Sequence, residues 1–204
     1  MINLTEGLFV GKGCHRKTYI NPENPETVIK ILYNNSKDAE IQLKRELDHN
    51  LCLQKKHKDL QGIAKYFGTI ATDMGKGYVF ECVRDFDTND ISESLEGYIK
   101  RGAFIEDNGE LLYKAVRKLK DTMLKYGIIP MEMYPYNILC RKNKEGTSFE
   151  CIIIDDIGTA VLIPIEYWFT FAANNRINRR WKRFLNHVVG LNNHPILLDI
   201  IRKL

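Results

Sequence analysis

An α+β fold in two lobes is predicted, the first rich in strands over residues 1–84 and the second mainly helical over residues 85–204. Three features of the sequence carry this expectation. Up to Val83 the apolar residues fall in short runs separated by glycine, asparagine and proline, the punctuation of short strands and tight turns. From Ile91 onward they recur at three and four residues, the period of helices that bury one face. Late in the chain the run Ile152-Ile153-Ile154 ends in Asp155-Asp156-Ile157-Gly158, which reads as a buried strand delivering carboxylates into a glycine turn.

Taken in order, Leu8-Phe9-Val10 and Thr18-Tyr19-Ile20 are strands flanking the loop Gly11-Lys12-Gly13-Cys14-His15-Arg16-Lys17. The two glycines allow close backbone approach and Lys12, Arg16 and Lys17 add positive charge, which suits a flap over phosphates. Asn21-Pro22-Glu23-Asn24-Pro25-Glu26 is a polar turn, and Thr27–Leu32 is a strand with Lys30 inside an otherwise apolar run. A lysine is rarely buried without a partner. The partner expected for Lys30 is Glu46, on the border of a helix from Asp38 to about His57 whose apolar stripe is Leu43, Leu47 and Leu51. Ile63–Ala71 and Gly77–Val83 make two more strands, and polar Arg84–Asp90 is the exit from the sheet, where backbone groups face a flat heterocycle at the mouth of a cleft.

The second lobe starts with a helical pattern at Ile91, Leu95 and Tyr98-Ile99. A longer helix is expected from about Asn108 to Tyr126, capped by Asp107 or Asn108 and ended by Gly127. Then Tyr134-Pro135-Tyr136-Asn137-Ile138-Leu139-Cys140 puts an asparagine before a short strand, and Glu145-Gly146 forms the loop that returns to Cys151–Ile154. Asn137 and Asp156 are therefore expected at one end of a two-stranded ribbon. An amide oxygen and a carboxylate converging there suit a magnesium ion that carries a nucleotide's phosphates. Thr159–Ile165 extends toward Pro164, and Glu166–His187 is the last long helix, with Ile177, Trp181, Phe184 and Val188 on one face and Arg176, Arg179, Arg180, Lys182 and Arg183 around the other. That basic side is a solvated face clamping the lobe, or a surface for an acidic partner, RNA or DNA; the composition favours the former.

The whole chain bounds these readings. At 204 residues with 44% hydrophobic content it can bury a core, and 30 basic against 26 acidic residues are too nearly balanced for bulk charge to signal nucleic-acid binding. Cys14, Cys52, Cys82, Cys140 and Cys151 are odd in number and lack C-x-x-C spacing, as expected of reduced thiols in a cytoplasmic protein. The N-terminus lacks the basic start and apolar run of a signal peptide, and no window approaches the length of a membrane span.

The order of parts, a G-x-G loop between strands, V-I-K-I, a helix with Glu46, a linker, helices, Asn137 and then Asp156-Ile157-Gly158, resembles that of protein-kinase-like folds. Over nearly its whole length the chain is more closely similar to the PhoP regulatory network protein YrbL family. That resemblance rests on G-K-G-C-H-R-K-T-Y at Gly11–Tyr19, Y-F-G-T at Tyr66–Thr69, G-Y-V-F-E-C-V-R-D at Gly77–Asp85, N-I-L-C at Asn137–Cys140 and R-R-W-K-R-F at Arg179–Phe184. It implies ATP and Mg²⁺ in a cleft between the lobes. Gly11, Lys12, Gly13 and Lys30 would serve the phosphates, Glu46 would pair with Lys30, Glu81 and Val83 would form the hinge, and Asn137 and Asp156 would hold the metal.

Two departures bear on activity. Arg16 stands where a third glycine completes the kinase loop, and Glu132 stands five residues before Asn137, where a kinase carries its catalytic aspartate. Glu132 remains the candidate base, although its extra methylene shifts the carboxylate by about one bond length. The segment after Gly158 lacks A-P-E, so a protein-kinase substrate platform is not expected. Two functions follow as expectations: phosphoryl transfer from ATP to an unknown acceptor, or a nucleotide-sensing regulatory module acting on a partner protein through the basic helix.

Overall fold

The computed structural model describes residues 1–34, 36–159, 166 and 169–204. Five strands, β1 (Phe9–Lys12), β2 (Arg16–Ile20), β3 (Thr27–Leu32), β4 (Tyr66–Thr72) and β5 (Gly75–Glu81), form one antiparallel sheet in the order β1-β2-β3-β5-β4. The middle strand, β3, is buried along nearly its whole length, and this explains its unbroken apolar run around Lys30. Leu8, expected in the first strand, belongs to a short 3-10 turn over Glu6–Leu8. Ile63 stands outside β4 and bridges in parallel to Ile153, tying the sheet's approach to the second lobe.

Helix α1 (Lys37–Lys56) follows β3, its first turn capped by Ser36, whose hydroxyl accepts from Ala39 N–H at 3.3 Å. The stripe differs from the leucine pattern. Leu43 and Leu53 are buried together with Glu46, His49 and Asn50, whereas Leu51 is half exposed. The polar members are there because each has a partner: Asn50 Nδ2 donates to Ala64 C=O at 2.9 Å and its Oδ1 accepts from Tyr66 N–H at 3.1 Å. Ile129 N–H donates to His49 Nε2 at 3.1 Å, and burial pushes that imidazole's pKa down to about 3, so it is neutral. The face of α1 that meets the rest of the protein is thus a polar seam set between two leucines.

The second lobe is built from α2 (Leu95–Lys100), α3 (Gly102–Tyr126), the hairpin of β6 (Ile138–Lys142) and β7 (Phe149–Ile153), α4 (Thr170–Leu191) and α5 (Pro195–Lys203). Helix α3 begins six residues before the expected Asn108, at Gly102, and its N-cap position, Arg101, makes no side-chain cap bond. Packing outweighs the missing cap, because Ile105 is fully buried and Gly109 lies so close to α5 that a Cβ would sit 3.0 Å from Ile200 Cδ1. Its C-terminus is as expected, with Gly127 in the left-handed region at φ 68°. Helix α4 starts at Thr170, four residues after the expected Glu166, and continues to Leu191. The expected extension toward Pro164 falls at residues 160–165, outside the described residues. Helix α5 was not expected; Pro195 opens it and Leu197 and Ile200 are its buried anchors.

One large core joins α2, α3, the hairpin and α4, with Leu119, Met123, Ile177, Trp181 and Phe184 all at most 2% exposed. A smaller cluster of Ala64, Val83 and Ile152, with Leu139 and Ile154 beside it, lies where the two lobes meet. The element order is the protein-kinase-like one: a five-stranded sheet with a single helix inserted after the lysine strand, then helices and a two-stranded ribbon. Among the described residues no helix is long and apolar enough to cross a membrane.

The turn after the ribbon is set tightly against α1. Gly158 has φ 120°, and a Cβ there would lie 2.8 Å from the backbone oxygen of Arg45. Gly158→Ala is therefore expected to destabilise the fold by about 1–3 kcal/mol, combining backbone strain with a steric clash. Chemical denaturation measures the loss, and a midpoint equal to the parent's would show that the turn can move away from α1.

Candidate functional site

A cleft of about 960 Å³ opens between the sheet and the β6–β7 hairpin. Its roof is the stretch from Gly11 to Cys14, the end of β1 and the start of the turn to β2. Val28, Ala64, Leu139 and Ile154 make an apolar slot, closed on one edge by Glu81, Cys82 and Val83 at the end of β5. Lys30, Asn137 and Asp155 supply the polar end. Gly11, Lys12, Gly13, Lys30, Glu81, Val83 and Asn137, all site candidates from the sequence, are brought together around this one space. The Glu81 carboxylate itself pairs with Arg141, at 2.5 Å.

Behind the polar end sits a cluster of opposite charges. Lys30 Nζ donates to Ile154 C=O at 2.6 Å and lies 3.8 Å from Glu46 Oε1 and 4.0 Å from Asp155 Oδ2. The expected Lys30–Glu46 pair is present, but Arg16 is the closer partner, with Nη1 donating to Glu46 Oε2 at 2.7 Å. Arg16 Nη2 donates to Asp155 as well. The ammonium of Lys30 also stands 4.4 Å from the centre of the Phe80 ring. Burial pushes the Glu46 carboxyl up, against the pull of Arg16. Burial also opposes ionisation of Asp155, but Lys30 and Arg16 together outweigh it and hold this carboxyl below the usual carboxylate range.

Asp156 lies one residue beyond, with φ 63° in the left-handed region. Asn137 Nδ2 donates to Asp156 Oδ2 at 2.9 Å, so the asparagine and the aspartate meet at the end of the hairpin as their spacing predicts. Gln42 of α1 donates to the other Asp156 oxygen. Burial, then the neighbouring Asp155 charge, raises the Asp156 pKa. Asp155 thus borders the cleft, and Asp156 faces Asn137 and Gln42.

Glu132 is bound to α4, not to the charge cluster. Its Oε1 accepts from Arg180 and lies 3.8 Å from Arg183 Nη1. Arg176 pairs with Glu166 at 3.2 Å, so the inward arginines of the basic helix are engaged within the lobe. Next to them Tyr136, on the rim of the cleft, stacks on Tyr134 at 5.1 Å, and Tyr134 meets His187 at 4.7 Å.

Three site residues lay beyond the sequence reading. The sequence places Arg16 only among the loop's positive charges and Asp155 only beside Asp156, and gives no signal for Gln42. The unusual arginine in place of a third glycine was the one available signal.

The sequence profile of the PhoP regulatory network protein YrbL family matches residues 2–189. Two curated proteins called uncharacterized protein YrbL, from Escherichia coli (strain K12) and Shigella flexneri, are each 34% identical over 185 residues, which is 91% of this chain and 87% of theirs. A crystal structure of a kinase domain superposes with a TM-score of 0.46 at 21% identity, over 67% of this chain and 40% of that one. With a profile match from Ile2 into α4 and relatives matched over most of their length, the chain belongs to the PhoP regulatory network protein YrbL family.

Proposed function

We propose that the cleft binds ATP together with magnesium. The observation that carries this reading is the meeting of the Lys30 ammonium, Asn137 and the adjacent carboxylates at one end of an apolar slot, beneath a loop with two glycines. Val28, Ala64, Leu139 and Ile154 would sandwich the base, and the backbone of Glu81 and Val83 would orient it. Gly11, Lys12 and Gly13 would cover the phosphates, and Lys30 would take charge from them. The carboxylate oxygens of Asp156 and Asp155 fit magnesium, which binds through one or two carboxylates and completes its shell from water and phosphate; Asn137, whose Nδ2 here donates to Asp156, would add its amide oxygen by turning over. When bound it would supply neutralisation of phosphate charge.

Excess ATP with magnesium is expected to stabilise the fold by about 2.7 kcal/mol at a hundredfold over the Kd, seen as a rise in Tm. A flat Tm across millimolar ATP, with no heat in a titration calorimeter, overturns the reading. Asp156→Asn is expected to remove the magnesium-dependent part alone; if Asp155→Asn does so instead, Asp155 is the metal ligand.

Transfer of phosphate to an unknown acceptor is the extension of this function in which Glu132 acts as base. A second reading, a nucleotide-binding regulatory module that performs no transfer and acts on a partner protein, is favoured by one observation: Arg180 and Arg183 already engage the Glu132 carboxylate. The pairing of Arg176 and Arg180 within the lobe supports the clamp reading of the basic helix over nucleic-acid binding.

A further inference from the structure

We propose that Arg16 is a built-in cation of the nucleotide site, a positioning residue that engages Glu46 and Asp155 and leaves Lys30 and the loop backbone to the phosphates; this rests on the ATP reading above. Arg16 opens β2 at the point where the loop turns back, and Gly13 N–H donates to its carbonyl at 2.8 Å. Its side chain is 9% exposed and reaches two carboxyl groups carried by different parts of the fold, Glu46 on α1 and Asp155 after β7. A planar guanidinium can serve both at once with separate N–H groups, whereas an ammonium is a single point of charge.

The charge count gives this geometry its consequence. Arg16 and Lys30 face Glu46 and Asp155, with Asp156 one residue beyond, so two cations stand among three acids. Without Arg16, one lysine would serve two carboxyl groups, be drawn toward them, and leave incoming phosphates facing uncompensated negative charge. A divalent ion would then have to make up the difference. With Arg16 present, part of the neutralisation expected of a metal is a fixed property of the chain.

The test is calorimetric titration of the full chain and of Arg16→Gly with ATP in EDTA and with ATP in magnesium. The ratio of the two Kd values should be at least about tenfold larger in the variant, because each charge contact to phosphate is worth that order. A residue that merely held the loop in shape would weaken both titrations equally, and an unchanged ratio overturns the proposal. Arg16→Lys, which keeps the charge but not the two-pronged contact, should give a ratio between those of the parent and the glycine variant; if it behaves like the glycine variant, the charge argument fails. Should Arg16→Gly not fold, Arg16→Gln makes the same comparison, since its amide can still donate to Glu46.

Should the parent bind no ATP under either condition, the ATP reading falls by itself. The Arg16 proposal is then decided with Mn²⁺ alone. Arg16→Gly should bind Mn²⁺ more tightly than the parent, because Asp155 is released, and adding Asp155→Asn should abolish the gain. No gain in Mn²⁺ affinity overturns it.

Discussion

Trp181→Ala is expected to cost the fold about 3–5 kcal/mol, the range for removing a large aromatic from a packed core. Trp181 is 2% exposed, and its ring lies 5.0 Å from that of Phe184, itself fully buried on the same face of α4. Urea denaturation with an unchanged m-value measures the cost, and Trp181→Phe should recover a large part of it by refilling the space. The loss reaches the site through neighbours in sequence. Arg180 and Arg183, which hold Glu132, flank the tryptophan on the same helix. A loosened α4 should therefore also release Glu132, which a loss of less than about 1 kcal/mol would argue against.

On the phosphoryl-transfer reading proposed above, Glu132→Gln is expected to lower turnover by about 10²–10⁴-fold while ATP affinity stays nearly constant, the signature of a lost general base. Glutamine keeps an oxygen that can accept from Arg180, so the helix contact is conserved as the basic group is removed. Glu132→Asp separates two geometries. A shorter acid that stays with Arg180 falls short of an acceptor hydroxyl and loses turnover; one that leaves Arg180 behaves as the aspartate of a kinase loop and retains it. Clear magnesium-dependent ATP binding with no turnover in the parent or either variant would end the enzyme reading and leave the nucleotide as a ligand that shifts conformation.

The first lobe was legible because its signals are local. Hairpin turns and alternating burial place β1 to β5 and α1 within a few residues of where the sequence puts them. The second lobe was legible where caps agree with packing, as at Gly127, and misleading where they disagree. Asp107-Asn108 has the chemistry of a cap, yet α3 runs through it because Ile105 and Gly109 are needed in the core. In the site, the meeting of Asn137 with Asp156 follows from hairpin arithmetic. Which acid borders the cleft does not. Continued alternation after Ile152 and Ile154 would put Asp156 on the cleft side, but β7 ends at Ile153 and the positive φ of Asp156 turns the chain so that Asp155 takes that place. The role of Arg16 was out of reach because its partners are 30 and 139 residues away.

Those separations also bear on how the protein folds. Most ladders join consecutive strands: β1 with β2, β2 with β3, β4 with β5 and β6 with β7. The bonds that define the cleft are of another kind, with Lys30 reaching Ile154 across 124 residues and Arg16 reaching Asp155 across 139. Long loops must be closed before such contacts bring any gain, so they form after the hairpins and helices on either side. The cleft is then expected to be completed late, so that Arg16→Gln would change the unfolding rate more than the folding rate. A ligand held there is expected to slow unfolding rather than hasten folding, and so to contribute to the persistence of the native chain through lifetime rather than rate of formation.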